Sequence, residues 1–382
     1  MKSSLFFAAI AAVLSLALLA QCELSTETYQ SLEDVYDYTD GDDWSRNSGW
    51  LQGDPCENSW YGVRCNNDNT ELTSLILNHN NQQGTLPNTL PGLGPITELN
   101  FVESSGLTGP IPDNIGELTT VEYLWLSQNS FTGTIPESIG NMTALAGLFL
   151  YENQLSGTLP ASIGQLSNML KLEVHMNNLT GTIPDFNYPK ATAFSFNSNR
   201  FSGAVPKSLI TSPEIFDLYI DTNELTALPD VFDQAAIVNL HANNNRFTGT
   251  IPATLGQAQE MYYVTLANNQ FTGSIPSTFS NGTAITNVDF SYNQLLGSIP
   301  ASFGYADFSD VFLNNNQLSG TIPDSLSNVF GDLMLQDNDL TGTVPEWLNG
   351  KRHYNVSGNC FICPVPSWCA DDLCVNKAEC AC

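Results

Sequence analysis

The residues of this 382-residue chain with the widest chemical repertoire are its four histidines, its nine cysteines and some regularly spaced carboxylates. A histidine beside a carboxylate is the usual start of a general-base or metal site, so His79, His175, His241 and His353 come first. No HExxH, GxSxG or phosphate-binding glycine loop accompanies them. Among the acids, Asp310 and Asp332 occupy matching places in consecutive segments. Two carboxylates about 5 Å apart are the arrangement of a retaining glycosidase. Cys360 and Cys363 form a CxxC, redox-active in some reducing compartments and a structural disulfide in an oxidising one. Choosing among these readings requires the elements that hold the residues.

Self-comparison supplies those elements. The pattern LxxLxLxxNxLxGxIP recurs in twelve units of 21 to 25 residues, starting at Leu72, Ile96, Val121, Leu145, Met169, Ala191, Ile215, Ile237, Met261, Ile285, Phe308 and Phe330. A half unit through Tyr354, Val356 and Asn359 closes the array. Alternation within each unit predicts a short strand, with Leu124 and Leu126 inward and Tyr123, Trp125 and Ser127 outward. Stacked units then share one parallel sheet.

Position 9 is Asn throughout, as in Asn129 and Asn153, except in the second unit, where Ser104 replaces it. An amide both donates and accepts, so this column should satisfy the backbone where each strand turns. Position 11 reads as a buried column containing Phe131, Phe201, Phe247 and Phe271. Gly at position 13 and Pro at position 16 punctuate the return. Two irregularities stand out: a one-residue lengthening near Ser105, and a unit that loses its glycine at Leu225-Thr226-Ala227. The second should distort the coil locally.

Once the histidines are placed on repeats, the catalytic readings weaken. All four face the sheet side, yet His175 and His241 are three units apart, about 14 Å at a strand spacing of ~4.8 Å. Zinc ligands each sit ~2 Å from their metal. Asp310 and Asp332 read as solvated acids, or as a weak contact to Ca²⁺ or a basic partner. No catalytic residue, metal site or cofactor is expected. A non-enzymatic alternative rests on Thr and Ser flanking the repeat glycine, as in Thr132-Gly133-Thr134 and Thr248-Gly249-Thr250: two hydroxyl columns at strand spacing could order water as an ice-binding surface. Pro110, Ala204 and Leu296 interrupt them.

The ends fix the compartment. Lys2, an apolar run from Leu5 to Ala20 and small residues before Glu23 read as a cleaved leader over residues 1–22. A lipoprotein box before Cys22 fits less well because of Gln21. No other apolar run approaches the ~20 residues that span a membrane. Secretion makes the remaining eight cysteines, Cys56, Cys65, Cys360, Cys363, Cys369, Cys374, Cys380 and Cys382, a disulfide set. Cys56 and Cys65 lie in an N-terminal cap over residues 23–71, where Tyr29, Leu32 and Tyr36 fall at helical spacing behind Ser25 or Thr26. The other six lie in a C-terminal cap over residues 351–382, after twelve repeats spanning 72–350. Sequons at Asn141, Asn178, Asn281 and Asn355 mark glycosylation sites. Asn141 and Asn281 fall on the side away from the sheet, and Asn355 on the sheet itself.

The LxGxIP repeats, together with Asp54-Pro55-Cys56 and Trp60-Tyr61-Gly62-Val63-Arg64-Cys65, closely resemble the extracellular leucine-rich repeat proteins typical of plants. That family includes receptor ectodomains recognising peptides or hormones and inhibitors of cell-wall enzymes such as polygalacturonases. The resemblance implies an α/β leucine-rich repeat solenoid, a right-handed arc with its parallel β-sheet on the concave face. Short strands and 3-10 turns would line the convex side, between disulfide-containing caps. It also implies a secreted, cell-surface or wall-associated protein that binds a partner through the concave face, and no binding residue transfers by name.

Read directly, that face offers Tyr123, Trp125, Phe149, Tyr151, Glu152, Glu173 and His175, and further on Asp217, Tyr219, Asp221, His241, Tyr262 and Tyr263. Exposed aromatics commonly anchor interfaces, and the cluster at Tyr123, Trp125, Phe149 and Tyr151 is the leading ligand patch. Its rival is lateral packing between strands. The chain has 11 basic against 39 acidic residues, a net charge of −28. That excludes a nucleic-acid-coating role and predicts a protein, peptide or glycan partner that is basic or cation-bridged. Hydrophobic residues, at 42%, are sufficient for an ordinary core.

Overall fold

A computed structural model describes residues 24–104, 106–279, 284–362, 365–369 and 377. The expected leader, Ser105, the Asn281 sequon and Cys363, Cys374, Cys380 and Cys382 lie outside the described residues. The chain forms two compact units, one ending at Asn178 and the other running from Leu179 to Cys382.

The first unit begins with the cap. A helix spans Thr26–Tyr38, with Ser25 as N-cap accepting a hydrogen bond from Thr28 N at 3.0 Å. Its apolar stripe, Leu32, Val35 and Tyr36, is buried. Trp44, Trp50 and Trp60 pack beside it with ring centroids 4.9 and 5.0 Å apart in sequence order. Each buried indole N–H finds a backbone carbonyl: Thr39, Tyr61 and Gln52 respectively. Cys56 and Cys65 are disulfide-bonded with Cα atoms 5.8 Å apart. The strand Val63–Cys65 then lies antiparallel to Leu72–Ile76, the first repeat strand. From there Glu98–Asn100, Tyr123–Trp125, Gly147–Phe149 and Lys171–Glu173 add in parallel.

The second unit carries eight parallel strands in chain order: Ala193–Ser195, Asp217–Tyr219, Asn239–His241, Tyr263–Thr265, Asn287–Asp289, Asp310–Phe312, Leu333–Met334 and Tyr354–Asn355. In both units the return path is short 3-10 turns, such as Glu137–Asn141 and Ala301–Tyr305. Small accessory sheets form around the repeat glycines, as between Gln83–Thr85, Gly106–Pro110 and Ser130–Thr132. At the unit lacking its glycine the accessory register shifts, so that Ala204 pairs with Ala227. This is the local distortion expected there. Cys360 and Cys369 are both disulfide-bonded.

The asparagine column works as its chemistry requires. Asn153 Nδ2 donates to Leu126 O, Leu150 O and Tyr151 O at 2.9, 3.1 and 3.3 Å, and its Oδ1 accepts from Phe131 N at 3.0 Å. One side chain thus ties its own turn to the preceding repeat. Asn80 uses the same groups to clamp the cap, exchanging bonds with Arg46 N and O. The column is disturbed only where the sequence is: Leu107 N turns back to Ser104 O at 2.8 Å. Asn129 Oδ1, which would otherwise receive a donor from that repeat, is buried without a partner.

Two features were not legible beforehand. Position 8 is left-handed in every repeat, with φ of 55° at His79, 58° at Gln128, 54° at Met176 and 53° at Tyr292. The twist swings the chain so that the next residue, the ladder Asn, enters the core. Such conformations disfavour ordinary side chains, and neighbours partly compensate: His79 Nε2 lies 2.5 Å from Glu103 Oε2, and Gln128 donates to Glu152 at 3.3 Å. Secondly, Phe330, expected to open a repeat as a core residue, is 74% exposed. Val329 is buried in its stead, because the turn Asp324–Asn328 brings the apolar residue inward one place early.

Candidate ligand-binding faces

On each unit the outward side chains come from positions 3, 5 and 7, and three-residue strands in strict register line them up in rows. In the first unit Trp125 pairs with Phe149 on the next strand, and Tyr123 with Gly147. Trp125 and Phe149 stack face to face, centroids 3.5 Å apart and planes 6° from parallel. Tyr151 and His175 repeat the arrangement one strand on, at 4.6 Å and 6°.

This stacking corrects one expectation. Phe149 is only 4% exposed, so it does not present a free ring to a ligand. The cause is Gly147: a Cβ there would lie 2.6 Å from Phe149 and 2.8 Å from Tyr123. The missing side chain lets both rings fold over the strand. Lateral packing, the rival reading, therefore describes Phe149, whereas Tyr123 remains 37% exposed and Trp125, Tyr151, Glu173 and His175 are half-buried. Beside Trp125, Ser127 is fully buried with no hydrogen-bond partner for its Oγ. Burial also raises the Glu173 carboxyl above the usual carboxylate range, opposed by Lys171.

The second unit brings Asp217, Tyr219 and His241 together and joins Tyr263 to them. Tyr219 stacks on His241 at 4.6 Å, and His241 on Tyr263 at 4.8 Å. Tyr263 sits at position 3 and His241 at position 5, so this contact is diagonal. Column-by-column reading misses it; a search for aromatics at diagonal neighbours would have found it. Carboxylates surround the rings. Burial lowers the His241 pKa while Asp221 and Asp217 raise it. Burial, then Asp289 and Asp221, push the Tyr263 hydroxyl up.

Asp310, expected as a solvated acid, is engaged on both carboxylate oxygens. Asp310 Oδ1 accepts from Asp332 N at 2.8 Å, and Oδ2 accepts from Asn287 Nδ2 at 2.6 Å and Ser309 Oγ at 3.2 Å. Its carboxylate is a cross-strand tie. Among the described residues no group of three or more His, Cys, Asp or Glu is placed to hold a metal ion. The hydroxyl columns have structural work too: Thr108, Ser156 and Thr272 each donate to the glycine carbonyl of the preceding repeat, at 3.1 to 3.2 Å. Leu296, 47% exposed, breaks the row. Asn141 and Asn178 are exposed, whereas Asn355 is half-buried and its Oδ1 accepts from Ser357 N and Oγ. No described helix is long and apolar enough to cross a membrane.

Residues 120–142, 261–281, 284–306 and 309–329 match the Leucine Rich Repeat family. An 85-residue stretch is 32% identical to a probable leucine-rich repeat receptor-like protein kinase of Arabidopsis thaliana, covering 19% of this chain and 9% of that one. In structure the chain is similar to the plant peptide hormone receptor RGFR1 in complex with RGF2, with TM-score 0.72 and 29% identity over 83% of this chain and 56% of that. It is similar also to the ectodomain of the Arabidopsis receptor kinase HAESA in complex with an N-terminally extended IDA peptide hormone, with TM-score 0.70 and 27% identity over 88% and 58%. A plant ice-binding protein shares the fold, with TM-score 0.53 and 22% identity over 94% and 99%. The chain thus spans little more than half of the two receptor ectodomains, and the aligned stretch is under a tenth of the kinase.

Proposed function

We propose that this chain, a leucine-rich repeat protein of the plant LxGxIP type, is a secreted, non-catalytic binding protein that holds an extracellular protein or peptide on its outer sheet face. The observation that carries the reading is the pair of stacks in the first unit, Trp125 on Phe149 and Tyr151 on His175, with Tyr123 exposed alongside. Stacked rings are rigid. An anchor that is already ordered loses little side-chain entropy on binding, and Trp and Tyr dominate interface energetics. The RGFR1 and HAESA structures each hold a hormone ligand, which makes a peptide the first candidate here.

Tyr123, Trp125, Tyr151, Glu173 and His175 form the contact surface, and Phe149 supports it from beneath. Glycans on Asn141 would stand clear of these rings, since that residue lies in the return turn Glu137–Asn141. With a net charge of −28, the partner is basic where it meets the protein, and the contact weakens with salt.

The test is quantitative binding of an extracellular peptide fraction to the immobilised full chain, with Trp125→Ala and Tyr151→Ala beside the parent. Loss of about tenfold or more in affinity for either variant is expected. Undiminished binding by correctly folded variants overturns the assignment.

A further inference from the structure

The second unit's face carries a run of three stacked rings that ends beside a carboxylate. Tyr219, His241 and Tyr263 stand at 4.6 and 4.8 Å, the spacing of the strands beneath. His241 has a ring on each side. Tyr263 ends the ladder, and the next strand opposes it not with a ring but with Asn287, while Asp289 stands diagonally across, paired in register with Thr265. Thr265 is 4% exposed and forms the floor between them. Asp289 has its Oδ1 engaged by Ser291 N and Oγ at 3.0 and 2.6 Å. Asp221, two residues past the Tyr219 strand, lies on the other side of His241 from this end.

A carboxylate beside the end of an aromatic stack is electrostatically unfavourable by itself, because the face of a ring is the negative part of its quadrupole. A flat cation between the two reverses both terms: it stacks on the ring and donates in-plane to the carboxylate. A guanidinium has that shape and a fixed fork of donors, whereas an ammonium has neither.

We propose that the open end of this ladder, Tyr263 with Asp289, receives the guanidinium of an arginine carried by a peptide lying on the sheet face of the second unit. This rests on the reading of the sheet face as a peptide-binding surface but uses different residues from the Trp125 stack. Arginine is the occupant that fits the charge complementarity: Asp289 flanks Tyr263 diagonally across the register, and His241, stacked on Tyr263 from the other side, is held toward its neutral form by burial.

The experiment follows His and Tyr ring signals of the full chain by NMR during titration with acetyl-Gly-Arg-Gly-amide at low salt. The expected result is saturable shifts at His241 and Tyr263. Asp289→Asn, which keeps an acceptor for Ser291, should weaken the probe about three- to fivefold, and Asp221→Asn should weaken it less. The peptide with citrulline in place of arginine, isosteric but uncharged, should give no saturable shift. Trp125→Ala should leave the titration unchanged, so this proposal and the first-unit assignment fail separately. Equal responses to citrulline, equal binding of the lysine peptide, or arginine shifts confined to residues other than His241 and Tyr263 would each overturn it.

Discussion

The two sheet faces are built on the same repeat and diverge in what they do with aromatic residues. In the first unit rings pair off and close: Phe149 disappears under Trp125 because Gly147 vacates the space beside it. In the second, rings run in a continuous ladder that stops at Tyr263 next to Asp289. The scaffold therefore fixes the spacing of outward residues at about one strand, and single neighbours decide whether a ring is covered or left open. A glycine in one case and an aspartate in the other make the difference.

The largest test concerns the scaffold both faces share. Asn153→Ala removes four ladder hydrogen bonds in a buried site and should cost about 3 kcal/mol in urea unfolding. Asn129→Ala should cost less, about 2 kcal/mol, because its Oδ1 already lacks a donor. Equal losses would mean the column is not read correctly at the second repeat. Next in size, Gly147→Ala places a methyl against Phe149 and Tyr123, and should destabilise by about 2 kcal/mol while raising solvent exposure of the Phe149 ring. The first unit would thereby come to resemble the second, and loss of the Trp125 stack should be visible in the near-ultraviolet circular dichroism.

The smallest effects are electrostatic and opposite in sign. Glu173 has a folded pKa raised above its ordinary 4.5, so its contribution is present below that value and is lost as pH rises through the folded value. Glu173→Gln should raise Tm at pH 7 relative to the parent more than at pH 4. His241 has a folded pKa lowered from 6.5, so its contribution is present above 6.5 and is lost as pH falls toward and through the lowered value. His241→Phe, which keeps a ring in the ladder, should favour Tm at pH 5 more than at pH 7.5. Like-signed slopes for the two variants would break the comparison.

Much of this was legible in the residues. Alternating leucines, the Asn column and the Gly-x-x-Pro return all report local geometry that repeats, so each copy confirms the others. The helix at Thr26–Tyr38 was readable from its cap and spacing. What escaped depended on neighbours in space. Phe149 reads as exposed until Gly147 on its own strand is considered together with Trp125 on the adjacent one. Tyr263 joined His241 diagonally, across both strand and row. The left-handed position 8 is announced only by Asn244, Asn268, Asn315 and Asp337, and was masked because the His, Glu, Gln, Met and Tyr that stand there in other repeats are not residue types that favour such backbone. Phe330 failed by one place in a turn whose length varies between repeats.

The re-routed Leu107 amide has a consequence for how the molecule comes apart. Repeats three and four are joined by Phe131 N to Asn153 Oδ1, and four and five by Leu155 N to Asn177 Oδ1. Between two and three that bond is absent, Leu107 N being spent within its own repeat. In a stack whose cohesion is a sum of nearest-neighbour contacts, one weaker seam divides cooperative blocks. Deuterium uptake should step at that seam: the amides of Leu99 and Phe101 exchange through a sub-global opening of the cap and first two repeats, and those of Leu124 and Leu126 exchange more slowly.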